Sequence, residues 1–134
     1  MHSHKQIYTK KQIAEVLHKI KECVRQNRYT ISLNKHRKEN SEFINEYNIR
    51  SMKQKEIFAQ LHVEDFCYTL HNTKSGFEDE ILYVFVPTIQ VYNAHGKSEH
   101  VDVYMKFNLI ETATYMQLIV VSFHRRNKPV CYAL

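Results

Sequence analysis

A strictly alternating segment in the last third of the chain constrains its fold more than any other feature. From residue 101 to residue 109 the odd-numbered positions are apolar and the even-numbered positions are polar. Successive side chains of a β-strand point to opposite faces of a sheet, so this pattern predicts a strand between a core and water. A second, more apolar segment at residues 117–124 follows after a short connection, and together they predict a hairpin.

The predicted hairpin places its polar residues on one face of the sheet. If the strands pair, Tyr104 and Lys106 share a face with Ser122 and His124, because directly opposite residues of paired strands point the same way. The phenylalanines at positions 107 and 123 would lie on the other face, and we expect both to be buried.

The first half of the chain carries helical patterns. Residues 9–12, Thr-Lys-Lys-Gln, form a capping box that predicts a helix from about residue 10 to residue 26. A second helix is predicted at about residues 39–47. A second capping box, Ser-Met-Lys-Gln at residues 51–54, is expected to open a third helix.

Several further segments predict strands and turns. Segments at residues 29–33, 66–70 and 81–86 are rich in β-branched and aromatic residues, and Pro87 after the last of them predicts a bulge or an exposed edge. The order of elements predicts a single α+β domain over residues 1–134. Its N-terminal helices pack on one face of a mainly antiparallel sheet and leave the other face available.

The composition narrows the function classes. Gly76 and Gly96 are the only glycines among 134 residues, which excludes the glycine-rich phosphate loops of P-loop and dinucleotide-binding proteins. The net charge of +5 favours polyanionic partners, of which nucleic acid is the most common, although a basic balance also serves solubility alone.

Cysteine usage and hydropathy indicate the compartment. Cys23, Cys67 and Cys131 are odd in number and widely spaced, so we expect buried thiols in a reducing cytosol rather than disulfides or a zinc site. The first six residues lack the apolar core of a signal peptide, and no apolar run approaches the roughly 20 residues of a membrane span. We therefore expect a cytoplasmic protein without a membrane partner, cofactor or metal.

The residues of the polar hairpin face suit cleavage of RNA without a metal. In that reaction the ribose 2′-hydroxyl attacks the adjacent phosphate while a base, an acid and a cation assist. His124 is the candidate acid or base, because an imidazole changes protonation near neutral pH. Lys106 and Arg125 suit the developing phosphate charge, and Tyr104 can orient the phosphate or stack on a base. The alternative is that these are ordinary solvated residues of an antiparallel sheet.

Other polar residues are weaker candidates for contacting the substrate. Arg126 follows at the rim, and His100 lies on the same predicted face farther from the hairpin tip. His71 ends a predicted strand and is a second catalytic candidate. Residues 34–38 form a dense basic loop that can contact phosphates, although a solvated connection is the default interpretation.

The motifs of the hairpin resemble those of the MqsR toxin family. Val-Tyr-Met-Lys at residues 103–106 and Leu-Ile-Val-Val-Ser-Phe-His at residues 118–124 are similar to that family's Val-Tyr-Leu-Lys and Leu-Ile-Val-Ser-Phe-Lys. Residues 64–66 and 84–87 match its Asp-Phe and Val-Tyr-x-Pro landmarks. The resemblance implies a type II toxin–antitoxin endoribonuclease with a RelE/YoeB-like fold. Such an enzyme cuts mRNA without metal and is silenced by a cognate antitoxin, with the ribosome as a further candidate partner.

The resemblance also implies roles for individual residues. The family tyrosine falls on Tyr104, and the family's C-terminal lysine falls on His124, which still supplies a proton carrier. The family lysine after Asp-Phe falls near Tyr68 and its glutamine near Leu82, so those two functions are not preserved. Substitutes are available in the chain: Lys106, Lys74 and His71.

Two other functions stay open from the sequence alone. The same basic, aromatic face suits a non-catalytic RNA-binding module, in which substitution of His124 would change RNA binding little. A protein-interaction regulator, whose exposed sheet edge pairs with a partner, would show neither cleavage nor salt-sensitive RNA affinity.

Overall fold

A computed structural model describes the backbone of residues 2–4 and all atoms of residues 7–134. The helices are α1 (Lys10–Arg25), α2 (Lys38–Glu46) and α3 (Ser51–Ala59), and two short 3₁₀ turns cover Lys35–Arg37 and Val63–Asp65. The strands are β1 (His2–His4), β2 (Tyr29–Ile31), β3 (Phe66–His71), β4 (Ile81–Phe85), β5 (Thr88–Tyr92), β6 (Ser98–Glu111) and β7 (Met116–Arg125). None of the described helices combines the length and apolar content needed to cross a lipid bilayer.

The strands form one mixed sheet in the order β1-β3-β4-β6-β7-β2. Every neighbouring pair is antiparallel except β2 and β7, which run parallel. β5 also pairs with β6, and Pro87 separates it from β4, which is the interruption that the proline predicts. The prediction of an α+β fold with a mainly antiparallel sheet is therefore confirmed.

The main core lies between the helices and one face of the sheet, which we call the helix-covered face. Phe107 and Phe123 are completely buried there, as predicted. The Phe58 ring of α3 lies with its centroid 5.9 Å from that of Phe107 and 5.5 Å from that of Phe123. Aromatic rings prefer tilted or edge-to-face contacts at such distances, so the helices and sheet are joined by a network of rings.

The first predicted capping box is confirmed. Thr9 Oγ1 accepts a hydrogen bond of 3.1 Å from the Gln12 backbone N–H, and Gln12 Oε1 accepts one of 2.9 Å from the Thr9 N–H. Helix α1 begins at the next residue, because these bonds satisfy amide donors that have no partner within the helix.

The second predicted capping box is wrong, although the helix itself is present. Ser51 is the first residue of α3, the N-cap position is held by Arg50, and no side chain caps this end. The Gln54 side chain instead accepts from the Tyr29 hydroxyl and donates to the carbonyl of Ile49. The tertiary hydrogen bond from Tyr29 and the bond to Ile49 thus replace the capping bond that the motif predicts.

The β6–β7 hairpin has the predicted register. Tyr104 lies opposite His124, and Lys106 lies opposite Ser122. The pairing then shifts by one residue, so that Val121 is an extra residue in β7, a β-bulge. The predicted sharing of one face by these four polar residues is therefore confirmed.

The opposite face of the sheet, the helix-free face, is less open than the sequence predicts. The C-terminal segment (residues 126–134) runs back across the sheet. The Tyr132 hydroxyl donates to the Val86 carbonyl at 2.8 Å, and the Ala133 N–H donates to the Phe66 carbonyl at 3.1 Å. A small apolar cluster lies on this face, with Val130 of the segment packed against it: Cys67, Val84, Val86 and Tyr104.

Candidate functional site

The rings of Tyr104 and His124 form the centre of the candidate site. They are stacked, with centroids 5.5 Å apart and an interplanar angle of 18°. Only 4% of Tyr104 is exposed, and its ring also contacts Lys128. The structure therefore contradicts a role for Tyr104 in stacking on a base. Its ring supports the imidazole instead.

The Tyr104 hydroxyl lies in the helix-free face and shares a hydrogen bond of 3.1 Å with the Tyr68 hydroxyl. Burial raises the pKa of Tyr104, and the hydrogen bond that its hydroxyl shares with Tyr68 raises it further. The phenol consequently stays neutral around pH 7 and is not a proton carrier there. Tyr68, the position near which the family lysine falls, is thus adjacent to the candidate site.

Hydrogen bonding defines the tautomer of His124. Its Nδ1 lies 2.8 Å from the backbone carbonyl oxygen of Arg125 and 3.6 Å from a carboxylate oxygen of Glu39. A carbonyl oxygen can only accept, so we infer that Nδ1 carries a hydrogen and that Nε2 has the free lone pair in the neutral ring. Nε2 is therefore the atom that can take a proton.

Lys106 is a buried amine on the same face. It is 8% exposed, and its cross-strand partner Ser122 is 1% exposed. Burial lowers the pKa of Lys106 to about 8, and the nearby positive charges of Arg37 and Lys128 contribute to the shift. The side chain is mainly protonated at neutral pH, but its ammonium is a stronger acid than that of an ordinary lysine.

The structure brings two cations to this face that the sequence analysis did not assign to it. Arg37 comes from the first 3₁₀ turn, and its charge acts on both Tyr104 and Lys106. Lys128 comes from the C-terminal segment, with its Nζ 5.3 Å from the centre of the Tyr104 ring. The basic loop at residues 34–38 was a sequence signal for Arg37, whereas no local pattern pointed to Lys128.

A buried amide connects this basic turn to β7. Asn40, in the first turn of α2, is completely buried and donates to the carbonyls of Ser32 and Val121 at 2.8 and 3.1 Å. Its Oδ1 accepts from the Phe123 N–H at 2.8 Å. These bonds satisfy backbone groups at the β-bulge, next to the residues of the site. The only sequence signal was the helical spacing of Asn40 from Phe43.

Arg125 lies on the other side of the sheet from His124, which corrects the expectation that both belong to one site. It is opposite Val103, a core residue of the helix-covered face. Its guanidinium is 3.2 Å from Glu46 and 3.7 Å from Glu99. Neighbouring residues of a strand alternate between faces, so Arg125 cannot follow His124 onto the same face.

Two other candidates remain near the edge of the site. Arg126 forms an ion pair of 3.4 Å with Asp102, and its N–H donates to the Asp102 carbonyl. His100 is exposed and shares the strand face of Tyr104, four positions away, or about 13 Å along β6. Neither residue contacts His124.

The last two candidates lie outside the site. His71 ends β3 on the opposite face from Leu70, a neighbour of the helix-free cluster, and its Nδ1 is 3.1 Å from the Glu78 carbonyl oxygen. Lys74 lies in the following loop, with its Nζ 5.2 Å from the centre of the Phe77 ring. We therefore withdraw His71 as a catalytic candidate and Lys74 as a substrate contact.

The candidate site lies outside the best-formed cavities among the described residues. The best-formed cavities among the described residues have volumes of about 300 to 440 Å³, and neither Tyr104 nor His124 lines any of them. Within the described part of the chain, no three His, Cys, Asp or Glu side chains are grouped to hold a metal ion.

Comparisons of the chain with protein-family models, with curated proteins and with solved structures find no match. The function is therefore inferred from the chemistry of the site and from the motif resemblance.

Proposed function

We propose that the protein is an endoribonuclease that cleaves RNA through attack of a ribose 2′-hydroxyl on the adjacent phosphate, with no metal taking part. The observation that carries this proposal is the presence of His124 and Lys106 on the same face of the sheet, as diagonal neighbours across the hairpin. His124 has a free lone pair on Nε2, and Lys106 is a buried ammonium with a lowered pKa. A base and an acidic cation are the two groups that this reaction requires.

In the first step His124 Nε2 removes the proton of the 2′-hydroxyl. The oxygen then attacks phosphorus, and the stacked Tyr104 ring holds the imidazole in place. The carbonyl of Arg125 accepts from Nδ1–H, which keeps the ring oriented and stabilises the imidazolium that forms.

In the second step the bond between phosphorus and the 5′-oxygen breaks. Lys106 stabilises the phosphorane charge and donates its proton to the leaving oxygen. His124 and Lys106 are diagonal neighbours across the hairpin, at positions about 7–8 Å apart that one phosphodiester can bridge. The products are a 2′,3′-cyclic phosphate and a 5′-hydroxyl. His124 then releases its proton to water, Lys106 takes one up, and the protons balance.

The biological setting is part of the same proposal. The motifs resembling the MqsR family support a toxin of a type II toxin–antitoxin system with a RelE/YoeB-like fold. Its substrate would be mRNA in the cytoplasm, and its partners a cognate antitoxin and the ribosome. The presence of Tyr104 and His124 at two family catalytic positions, as directly opposite residues of the β6–β7 hairpin, supports this assignment.

The test is incubation of the purified protein with a defined RNA in EDTA, followed by analysis of the end groups. We expect 2′,3′-cyclic phosphate and 5′-hydroxyl ends. We also expect a rate loss of about 100-fold or more in His124→Ala, the range for loss of a general acid or base. His95→Ala is the matched control, because His95 is exposed in the β5–β6 turn and should leave the rate unchanged.

The same assay on translating ribosomes extends the test to a ribosome-dependent enzyme. Absence of cleavage in both assays would reject the nuclease proposal. If RNA affinity were then salt-dependent and unchanged by His124→Ala, the protein would be a non-catalytic RNA-binding module. Absence of both cleavage and RNA binding would favour the protein-interaction regulator.

A further inference from the structure

We propose that Arg37 and Lys128, together with Lys106, form a phosphate-binding site beside His124 on the helix-free face. This inference deepens the proposed function, because it assigns contacts with the RNA phosphodiester to two residues outside the catalytic hairpin. The ligand chemistry is a phosphate group.

Arg37 combines half-burial with the absence of a carboxylate partner, a combination that no other arginine among the described residues shows. Arg28 and Arg50 also lack a carboxylate partner, but both are exposed. Arg25, Arg125 and Arg126 each form an ion pair with a carboxylate. Among the described residues Arg37 has no carboxylate partner, although it is half-buried. A half-buried guanidinium without an anion keeps its hydrogen-bond donors available for a phosphate, which arginine binds through two parallel bonds.

The turn that carries Arg37 is held in place before any ligand arrives. Asn34 Oδ1 accepts from the His36 N–H at 2.9 Å, and the Asn34 carbonyl accepts from the Arg37 N–H at 2.8 Å. Three residues later, the buried Asn40 amide ties the same stretch to the bulge of β7. Because the backbone is anchored at both ends, binding through Arg37 orders little more than its side chain.

Lys128 is held beside Tyr104 by the C-terminal segment. Its Nζ lies over the Tyr104 ring, and the neighbouring Arg126 forms an ion pair with Asp102. Farther along, the segment is pinned to the sheet by the Tyr132 hydroxyl. The two cations thus come from segments far apart in sequence that both pack against the sheet.

The backbone contacts place both cations near Lys106. Asn40, three residues after Arg37, is bonded to Val121 and Phe123 on either side of Ser122, which lies opposite Lys106. Lys128 lies over the neighbouring Tyr104 ring. The lowered pKa of Lys106, to which both positive charges contribute, agrees with this placement. An anion bound beside Lys106 reduces the repulsion among these charges and gains charge-assisted contacts with Arg37 and Lys128. A phosphodiester satisfies this requirement and also brings its ribose to the site of His124.

The experiment uses an RNA oligonucleotide with 2′-O-methyl groups at every ribose, which can bind but cannot be cleaved. Its affinity is measured across a salt series for the wild-type protein, Arg37→Ala, Lys128→Ala and Lys35→Ala. Lys35 is the matched control, because it is an exposed cation of the same turn. We expect a loss of about tenfold or more for Arg37→Ala and a salt slope reduced by about one. Lys128→Ala should show a smaller loss, and Lys35→Ala should stay within about twofold.

Further measurements identify the chemical class of the ligand and test whether each variant is folded. Competition by inorganic phosphate, and binding of a DNA of the same sequence, show whether the site takes a free phosphate, any nucleic acid or RNA alone. Arg37→Lys should recover part of the affinity, since it keeps the charge but loses the bidentate contact. Unfolding by urea is followed for each variant, so that a folding defect is recognised.

The outcomes separate this inference from the proposed function. If the wild-type protein cleaves RNA and Arg37→Ala alters affinity no more than Lys35→Ala does, the phosphate site is wrong and the nuclease stands. If Arg37→Ala selectively abolishes binding but no RNA is ever cleaved, the phosphate site stands and the nuclease is wrong. Equal losses in all three variants would indicate diffuse attraction and reject the site.

Discussion

The two faces of the sheet bury their side chains in different ways. On the helix-covered face, apolar residues from the helices and from alternating strand positions pack together, as Phe58 does with Phe107 and Phe123. On the helix-free face, Lys106 and Ser122 are nearly as buried, although both are polar. The C-terminal segment packs against the same face, with Val130 on the apolar cluster and Lys128 over the Tyr104 ring.

The difference shows what burial does to each kind of side chain. Burial of apolar surface stabilises the helix-covered face at roughly 25 cal/mol per Å². On the helix-free face the same loss of water changes acidity: it raises the pKa of Tyr104 and lowers that of Lys106 to about 8. One face therefore contributes stability, and the other provides groups with altered reactivity.

The largest expected effect comes from a core residue of β7. Phe123→Ala should lower the free energy of unfolding by about 3–5 kcal/mol, because it leaves a cavity in a completely buried ring cluster. Ile119→Ala, at a half-buried position on the helix-free face of the same strand, should lower it by less than about 1.5 kcal/mol. Urea unfolding measures both. Equal losses would mean that the two faces contribute equally to stability.

The next largest effect is expected at Lys106, where substitution should raise the free energy of unfolding rather than lower it. Below pH 8 Lys106 is charged in the folded and unfolded states, so the full penalty of burying the charge is present. Lys106→Met should therefore stabilise the protein near pH 7 by about 1–3 kcal/mol.

The pH dependence gives the control for this prediction. Between pH 8 and about 10.4, the unfolded state binds more protons than the folded state, so wild-type stability gains relative to Lys106→Met as the pH rises. Lys97→Met, at an exposed turn position, should show no such trend. A constant difference between the wild-type and Lys106→Met proteins from pH 7 to pH 10 would contradict the lowered pKa.

The smallest expected effect is at Arg125, on the helix-covered side. Its ion pairs with Glu46 and Glu99 are solvent-exposed, so Arg125→Ala should change stability by at most about 1 kcal/mol. The rate of RNA cleavage should remain within about twofold of wild type, since the residue faces away from His124. A tenfold loss of rate would show that Arg125 takes part in cleavage and would contradict its assignment to the face opposite His124.

Residue patterns predicted much of the fold because they reflect local geometry. Alternation over residues 101–109 predicted both β6 and the facing of Tyr104 and Lys106. The capping box predicted the start of α1, since its hydrogen bonds lie within four residues. Where local hydrogen bonds compete with tertiary ones, as at Gln54, the same kind of motif was misleading.

The candidate site was predicted only in part. The hairpin pairing of Tyr104 with His124 followed from side-chain alternation. Arg37 was identified only as part of a basic loop, and Asn40 and Lys128 were not predicted, because the three residues reach the site through packing of a turn, a helix and the C-terminal segment. No periodicity of the strands carries that information.

Residue patterns were sufficient to predict the α+β class, the hairpin and the polar residues of one strand face, because side-chain alternation and helical spacing are properties of neighbouring residues. Tertiary structure alone decided which charges meet there. It brought Arg37 and Lys128 toward Lys106 and removed Tyr104 from water. The acidity and the charge of a site depend on every group within a few ångströms, and those groups come from distant parts of the chain.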